Sequence, residues 1–254
     1  LELPPASVDV VDTALERMEA ADVGWTLAFI DEVSLLRDLD ALDGVRWIRL
    51  LYTYPRGFSD DIVAAMGECQ HMVRYVDVPL QHISDDVLGR MRRGIKRKGI
   101  EKLLDKLRRA GMTVRTTFIV GFPGETDGDF GQLLSFVKEF RFDAMGVFEY
   151  SLEPGTPAAD MPDQVPADVK AARAEAIMTA QQEIAFGANE AMVGRSMEVL
   201  ADGVDTQGRC VGRHAGQAPD IDGVCYLTAP RASGTFVSGT VADWDGYDLI
   251  VRPR

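Results

Sequence analysis

Cysteine is scarce in this sequence: Cys69, Cys210 and Cys225 are the three among 254 residues. No two of them stand at CxxC or CxxxCxxC spacing, so the chain offers no local motif for a metal ion or an iron–sulfur cluster. Each reads as a buried small apolar residue, Cys69 at the end of a helix. Long apolar runs are absent too, and none nears the roughly 18 residues that a membrane helix needs. The opening residues lack the basic start, apolar core and small-residue cleavage site of a signal peptide, so a cytoplasmic protein is expected. Positive charge is in short supply: 27 Lys and Arg against 40 Asp and Glu leave a net charge of −13. That balance opposes broad nucleic-acid affinity and suits a basic protein partner. Repeats and low-complexity tracts are missing. So is an initiator Met: the numbering opens at Leu1, which reads as a cut rather than a natural start.

What is present is the 46% apolar and 26% charged composition of an ordinary globular chain. Its centre is the stretch 114–126. Residues 114–120 are β-branched and aromatic enough for a strand. Gly121, Pro123 and Gly124 then break it, and Glu125 with Thr126 opens a helix. Such a turn leaves backbone N–H groups free at the carboxyl edge of a parallel sheet, where α/β proteins hold small ligands. Strands are also expected over 25–30, 45–52, 73–78 and 143–150. Helices are expected over 7–20, 31–43, 59–69, 85–93, 100–110, 126–140 and 167–192, with Ser59 and Ser84 as caps. This alternation predicts a parallel α/β sheet or barrel. Residues 1–190 are too few for a complete eightfold barrel of about 250, so a partial, open barrel is expected. Residues 191–254 change texture to short β runs between Gly, Asp and Pro turns, which predicts a small antiparallel β-barrel.

Three strand ends carry polar groups that a packed core does not require. Gln81-His82 follows the strand at 73–78 and reads either as a surface loop or as part of a site. Arg90, Arg92, Arg93, Lys96, Arg97 and Lys98 read either as a solvated helix face or as a carboxylate or phosphate site. Glu125 reads either as a helix N-terminal charge or as part of a ligand turn.

Taken together these stretches resemble the methylthiotransferase branch of the radical S-adenosylmethionine (SAM) enzymes. The resemblance is carried by Val78-Pro79-Leu80-Gln81-His82-Ile83-Ser84-Asp85, Met91-Arg92-Arg93-Gly94, Phe118-Ile119-Val120-Gly121-Phe122-Pro123-Gly124-Glu125-Thr126 and Phe148-Glu149-Tyr150-Ser151 with Gly155-Thr156-Pro157-Ala158. It runs from about Val45 to the C-terminus. Tyr54-Pro55-Arg56-Gly57-Phe58, Gln81-His82-Ile83 and Ala218-Pro219-Asp220-Ile221-Asp222-Gly223-Val224 look like the RimO type, which methylthiolates an aspartate of small-subunit ribosomal protein number twelve. The sister MiaB type, which acts on tRNA, usually has Gln-Ser-Gly at 81–83. The last residues resemble a TRAM domain, which in this family receives the substrate.

The resemblance implies SAM as cofactor, bound across the carboxyl ends of the strands. Gln81 and Arg93 match the pair that reaches its methionine carboxylate and ribose. Ile119, Val120 and Gly121 match the adenine-side motif, with Glu125 holding the turn and Gly121 giving close backbone approach. Phe148 lies on the strand whose backbone meets the adenine edge. It also implies two [4Fe–4S] clusters in the full-length family, one reducing SAM to a radical that takes hydrogen from the aspartate. Their cysteine ligands are not in this sequence, so no metal residue and no catalytic residue is assigned. The chain thus looks like a RimO-type protein with its front removed, inactive alone. The alternatives are a MiaB-type tRNA enzyme and a non-catalytic module that docks the ribosomal protein. From Met192 to Arg254 there are eight acidic and six basic residues, a net of −2, which makes tRNA the less suited partner.

Overall fold

The computed structural model describes residues 32–254; the helix expected over 7–20 and the strand over 25–30 lie outside them. A run such as Met-Val-Arg-Tyr-Val-Asp is too apolar to leave a sheet face in water. It forms β2 (Met72–Asp77), between β1 (Ile48–Leu50) and β3 (Thr113–Val120), with β4 (Ala144–Glu149) outermost. All three seams are parallel, and the spatial order follows the chain. Adding each strand on the same side through right-handed crossovers places the helices on one face, as in a barrel wall. These are α1 (Glu32–Asp40), α2 (Asp60–Glu68), α3 (Asp85–Arg90), α4 (Arg97–Arg109), α5 (Asp127–Phe140) and α6 (Ala167–Met192).

β3 shows the division of labour. Val114, Thr116, Phe118 and Val120 are buried, while Thr113, Arg115, Thr117 and Ile119 alternate with them on the opposite face. Against the buried set pack Ile100, Leu104 and Leu107 of α4 and Leu133, Phe136 and Val137 of α5. Two helix starts follow the sequence: Ser59 Oγ accepts from Ile62 N at 3.2 Å, and Thr126 with Asp129 forms a capping box. Ser84 differs. It stands at the start of α3 without capping it, because its hydroxyl donates to Asp129 instead. α3 also stops at Arg90 rather than 93, since Arg92 (φ 54°) and Gly94 (φ 64°) turn into the left-handed region.

The C-terminal part closes into a barrel of β5 (Ser196–Val204), β6 (Cys210–His214), β7 (Cys225–Leu227), β8 (Phe236–Asp245) and β9 (Asp248–Pro253), in the order β5-β6-β7-β9-β8. Four seams are antiparallel as expected, but β7–β9 is parallel. The chain leaves β7 by a crossover and returns as the β8–β9 hairpin, whose second strand runs alongside β7. Val199, Cys225, Val241, Leu249 and Val251 fill the interior.

The barrel is clasped to the sheet face that the helices leave free. There Trp47, Leu51, Val73 and Tyr75 meet Ala215 and Ala218 from the loop after β6. Asp222 of that loop accepts from Tyr75 Oη at 2.7 Å and Ala218 N at 2.8 Å, and pairs with Arg115 Nε at 3.3 Å. Arg115 Nη1 continues to Asp77 Oδ1 at 3.0 Å. Burial, followed by the Asp222 charge, pushes the Tyr75 phenol well above its ordinary range, so it stays a donor. Among the described residues no helix is long and apolar enough to cross a membrane.

Candidate functional site

Pro79 ends β2 by removing a backbone donor, but the sheet gains one more rung beyond it. Gln81, at φ 72°, donates its N–H to Thr117 O (2.9 Å) and accepts from Ile119 N (2.8 Å). That bridge fixes the Gln81 side chain at the carboxyl end of β3. The left-handed turn at Arg92 and Gly94 brings Arg93 to the same place. Its Nη2 donates to Pro79 O at 3.0 Å, and its guanidinium lies 4.7 Å from the Tyr54 ring centroid. The Tyr54 hydroxyl donates back to Arg93 O. From the far side Tyr150, just past β4, donates its N–H to Val120 O and sets its ring edge-on to Phe122 at 5.2 Å.

These residues enclose an open cleft of about 480 Å³, lined by Gln81, Arg90, Arg93, Ile119, Phe122 and Tyr150 among others. Three buried polar atoms of its lining have no partner among the described residues: Gln81 Oε1, Arg93 Nε and Tyr150 Oη. An unmade buried hydrogen bond costs about 1–3 kcal/mol, so such atoms in one cleft mark a place completed by something else. One acceptor, one cationic donor and one hydroxyl beside Ile119 and Phe122 suit a ligand with a carboxylate, further polar groups and a flat apolar part.

The turn behind the cleft is self-contained. Gly121 (φ 72°) donates to Glu125 Oε2 at 2.7 Å, and Glu125 Oε1 accepts from Arg173 Nη1 at 2.9 Å. Arg173 Nη2 reaches Asp127 at 2.7 Å. Burial raises the Glu125 carboxyl, against the pull of Arg173 and of the turn's N–H groups. His82 is fully buried, and burial drives it down to about 4, so it is neutral. Its Nδ1 accepts from Ser84 N at 3.0 Å, which leaves the ring proton on Nε2, 3.8 Å from Glu125 Oε2. Gln81 therefore serves the cleft and His82 serves the packing beneath it.

The structure brings Gln81, Arg93 and Ile119 together, with Glu125 holding the adjoining turn. Val120 is wholly inside the helix-packed core, so only its backbone borders this end of the sheet. At Gly121 the room that a Cβ would need is filled by the Lys170 side chain, whose Nζ donates to Tyr150 O at 2.8 Å. Phe148 pairs in register with Ile119 but stands 63% exposed, outside the cleft lining. Tyr150 and Phe122 are lining residues that the sequence reading did not single out. Both lie inside the quoted motifs, and a hydroxyl one residue after a strand was the available signal.

An iron–sulfur cluster needs thiolates close together. Cys69, Cys210 and Cys225 are all buried, and burial raises the Cys69 thiol and pushes that of Cys225 up to about 12. Among the described residues no His, Cys, Asp and Glu side chains gather into a metal site. The residues of this chain do not fit a cluster. They do fit SAM, by the unpartnered atoms of the cleft.

Comparison with known proteins gives a radical SAM superfamily match over residues 24–137 and a TRAM domain over 193–253. The ribosomal protein uS12 methylthiotransferase RimO of Syntrophotalea carbinolica is 47% identical over 221 residues, covering 85% of this chain and 49% of that protein. RimO of Anaeromyxobacter sp. (strain K) is 48% identical over 223 residues, 86% of this chain and 48% of the relative. The chain thus spans about half the length of the curated relatives it matches. Among solved structures, coproporphyrinogen III oxidase (HemN) from Escherichia coli, a radical SAM enzyme, has a TM-score of 0.44 at 19% identity, covering 72% of this chain and 48% of that one.

Proposed function

From the premise that this chain carries the radical SAM and TRAM regions of the RimO-type methylthiotransferases, we propose that it is the cofactor- and guest-holding portion of such an enzyme. The reaction would add a methylthio group to the β-carbon of an aspartate in ribosomal protein uS12. The observation that carries the reading is the cleft with Gln81 Oε1, Arg93 Nε and Tyr150 Oη left without partners.

Arg93 supplies the fixed positive charge for a methionine carboxylate, with its guanidinium held over the Tyr54 ring. Gln81 accepts from an ammonium or ribose hydroxyl, and its strained backbone keeps the amide aimed into the cleft. Ile119 and Phe122 cover the apolar part of a base and exclude water. Tyr150 contributes the remaining hydroxyl. SAM, when bound, supplies an activated sulfonium centre as methyl and radical source; the protein's part is orientation and shielding. The clusters that the full-length family uses, two by the resemblance, have no ligands in this chain, so the redox step is not assigned to it.

The TRAM-like barrel is the proposed receptor for the ribosomal protein. Its net charge of −2 suits a basic protein better than RNA. Calorimetric titration of the chain with SAM tests the cleft: saturable binding is expected, weakened at least ~10-fold by Gln81→Ala or Arg93→Ala, since a hydrogen bond to a charged group is worth about 1.5–3 kcal/mol. Titration with uS12 and with a tRNA stem-loop tests the partner class. Tighter binding of the stem-loop would overturn the reading in favour of the MiaB type.

A further inference from the structure

One wall of the cleft is basic; the stretch that supplies its other wall lines the opening with uncharged residues but carries a run of carboxylates beside it. Residues 90–98 contain Arg90, Arg92, Arg93, Lys96, Arg97 and Lys98 and no acid. Residues 144–169 contain Glu149, Glu153, Asp160, Asp163 and Asp168 and no base. Both line the same opening, the first through Arg90 to Arg93, the second through Tyr150, Thr156 and Met161.

The walls also differ in what occupies their charges. Arg90 donates to Gly124 O and Arg97 pairs with Glu101. On the acidic wall Glu149, Glu153, Asp160 and Asp163 are all exposed, and among the described residues the one side-chain bond to them is from Ser151 to Glu153. Gathering like charges on a protein already at −13 is self-repulsive, so the segment is poised to gain from a cation. Beside these carboxylates stand Phe148 (63% exposed) and Leu152 (50% exposed). Their strand β4 is bonded to β3 alone among the described residues. An outer strand with one described partner, two apolar anchors and a row of carboxylates match an extended, Lys- and Arg-rich protein segment. They repel a nucleic-acid strand.

We propose that the rim from Phe148 to Asp163, beginning at the outer edge of β4, docks an extended basic segment of the protein substrate beside the cleft. This rests on the protein-substrate reading above and adds to it a second contact surface, apart from the barrel. The opposite wall then turns the same segment away, so the two walls together set which side of the cleft the guest occupies.

The test uses the whole chain and a fluorescein-labelled extended peptide with a central Asp flanked on both sides by lysines, read by anisotropy. The rim variant is Glu149→Gln/Glu153→Gln/Asp160→Asn/Asp163→Asn; Asn tolerates the left-handed backbone at Asp163 (φ 59°). It should weaken the peptide ~10-fold, each exposed pair being worth only a few-fold, and the loss should shrink as salt is raised. A barrel variant, Asp243→Asn/Asp245→Asn, should change binding less. A peptide with glutamines for lysines should not distinguish rim variant from wild type. Circular dichroism and an unchanged melting curve control for folding. Peptide binding that ignores the rim but falls with the barrel variant overturns this inference and leaves the protein-substrate reading intact. Absence of saturable peptide binding to the wild-type chain also overturns it. Tight binding of an RNA stem-loop in preference to the peptide overturns both.

Discussion

Two polar clusters share the sheet face that the helices leave free. Around Asp222, the carboxylate has Tyr75, Ala218 and Arg115 as partners, and Arg115 is further held by Asp77. Around Gln81, Arg93 and Tyr150, a side-chain atom of each is buried and unmatched. The same chemistry thus serves two ends. The Asp222 carboxylate, with its partners in place, joins one part of the chain to another, and the unmatched atoms gathered around one opening suit a molecule from outside.

The largest blow to that contrast comes from Asp222→Ala. Removing the shared acceptor strands Tyr75 Oη and one side of Arg115, and should cost about 3–5 kcal/mol in urea-unfolding free energy. A loss under about 1 kcal/mol would deny the clasp its role. Next in size is the effect of acid on the packing beneath the cleft. His82 titrates at about 4 folded, against 6.5 ordinarily. A depressed histidine gives stability that is whole above about 6.5 and is lost as pH falls toward 4, since the unfolded chain takes up the proton first. The loss should approach ~3 kcal/mol, and His82→Asn should flatten the profile of unfolding free energy between those pH values.

Arg93→Ala sharpens the other side of the contrast. SAM affinity should fall ~10- to 100-fold, while unfolding free energy falls by only about 1 kcal/mol, since the fold loses just the bond to Pro79 O and the stacking on Tyr54. Gly121→Ala should cost about 1–2 kcal/mol through its left-handed backbone and the displaced Lys170 side chain. Adding Lys170→Ala should return part of that loss, and a double-mutant cycle on unfolding free energies measures the coupling. Smallest is Arg37→Ala. Its pair with Glu68 is exposed on both sides, so a change within about 0.5 kcal/mol is expected from the same melts.

The sequence was most legible where one physical rule governs a short stretch. The strand over 114–120, the breaks at Gly121 and Gly124, the helix opening at Thr126 and the span of α6 follow from local pattern. Gln81 and Arg93 were named through resemblance, and folding brings both to one cleft. What escaped depends on distant partners. Nothing near Ser84 announces that its hydroxyl turns to Asp129, or near Gly121 that Lys170 will cover it. The Asp222 clasp was present only as part of a motif, because its partners lie on β2 and β3. The parallel β7–β9 seam likewise arises from a crossover that strand propensity does not encode.

The Tyr75–Asp222 bond joins positions 147 residues apart. Sheet and barrel each close mostly through nearer contacts, so their joining is expected to come late in folding. Until it forms, Asp77, Arg115 and the Tyr75 ring lie open on a half-built wall. On that expectation, burial of a charged seam is the step that makes one body of this polypeptide.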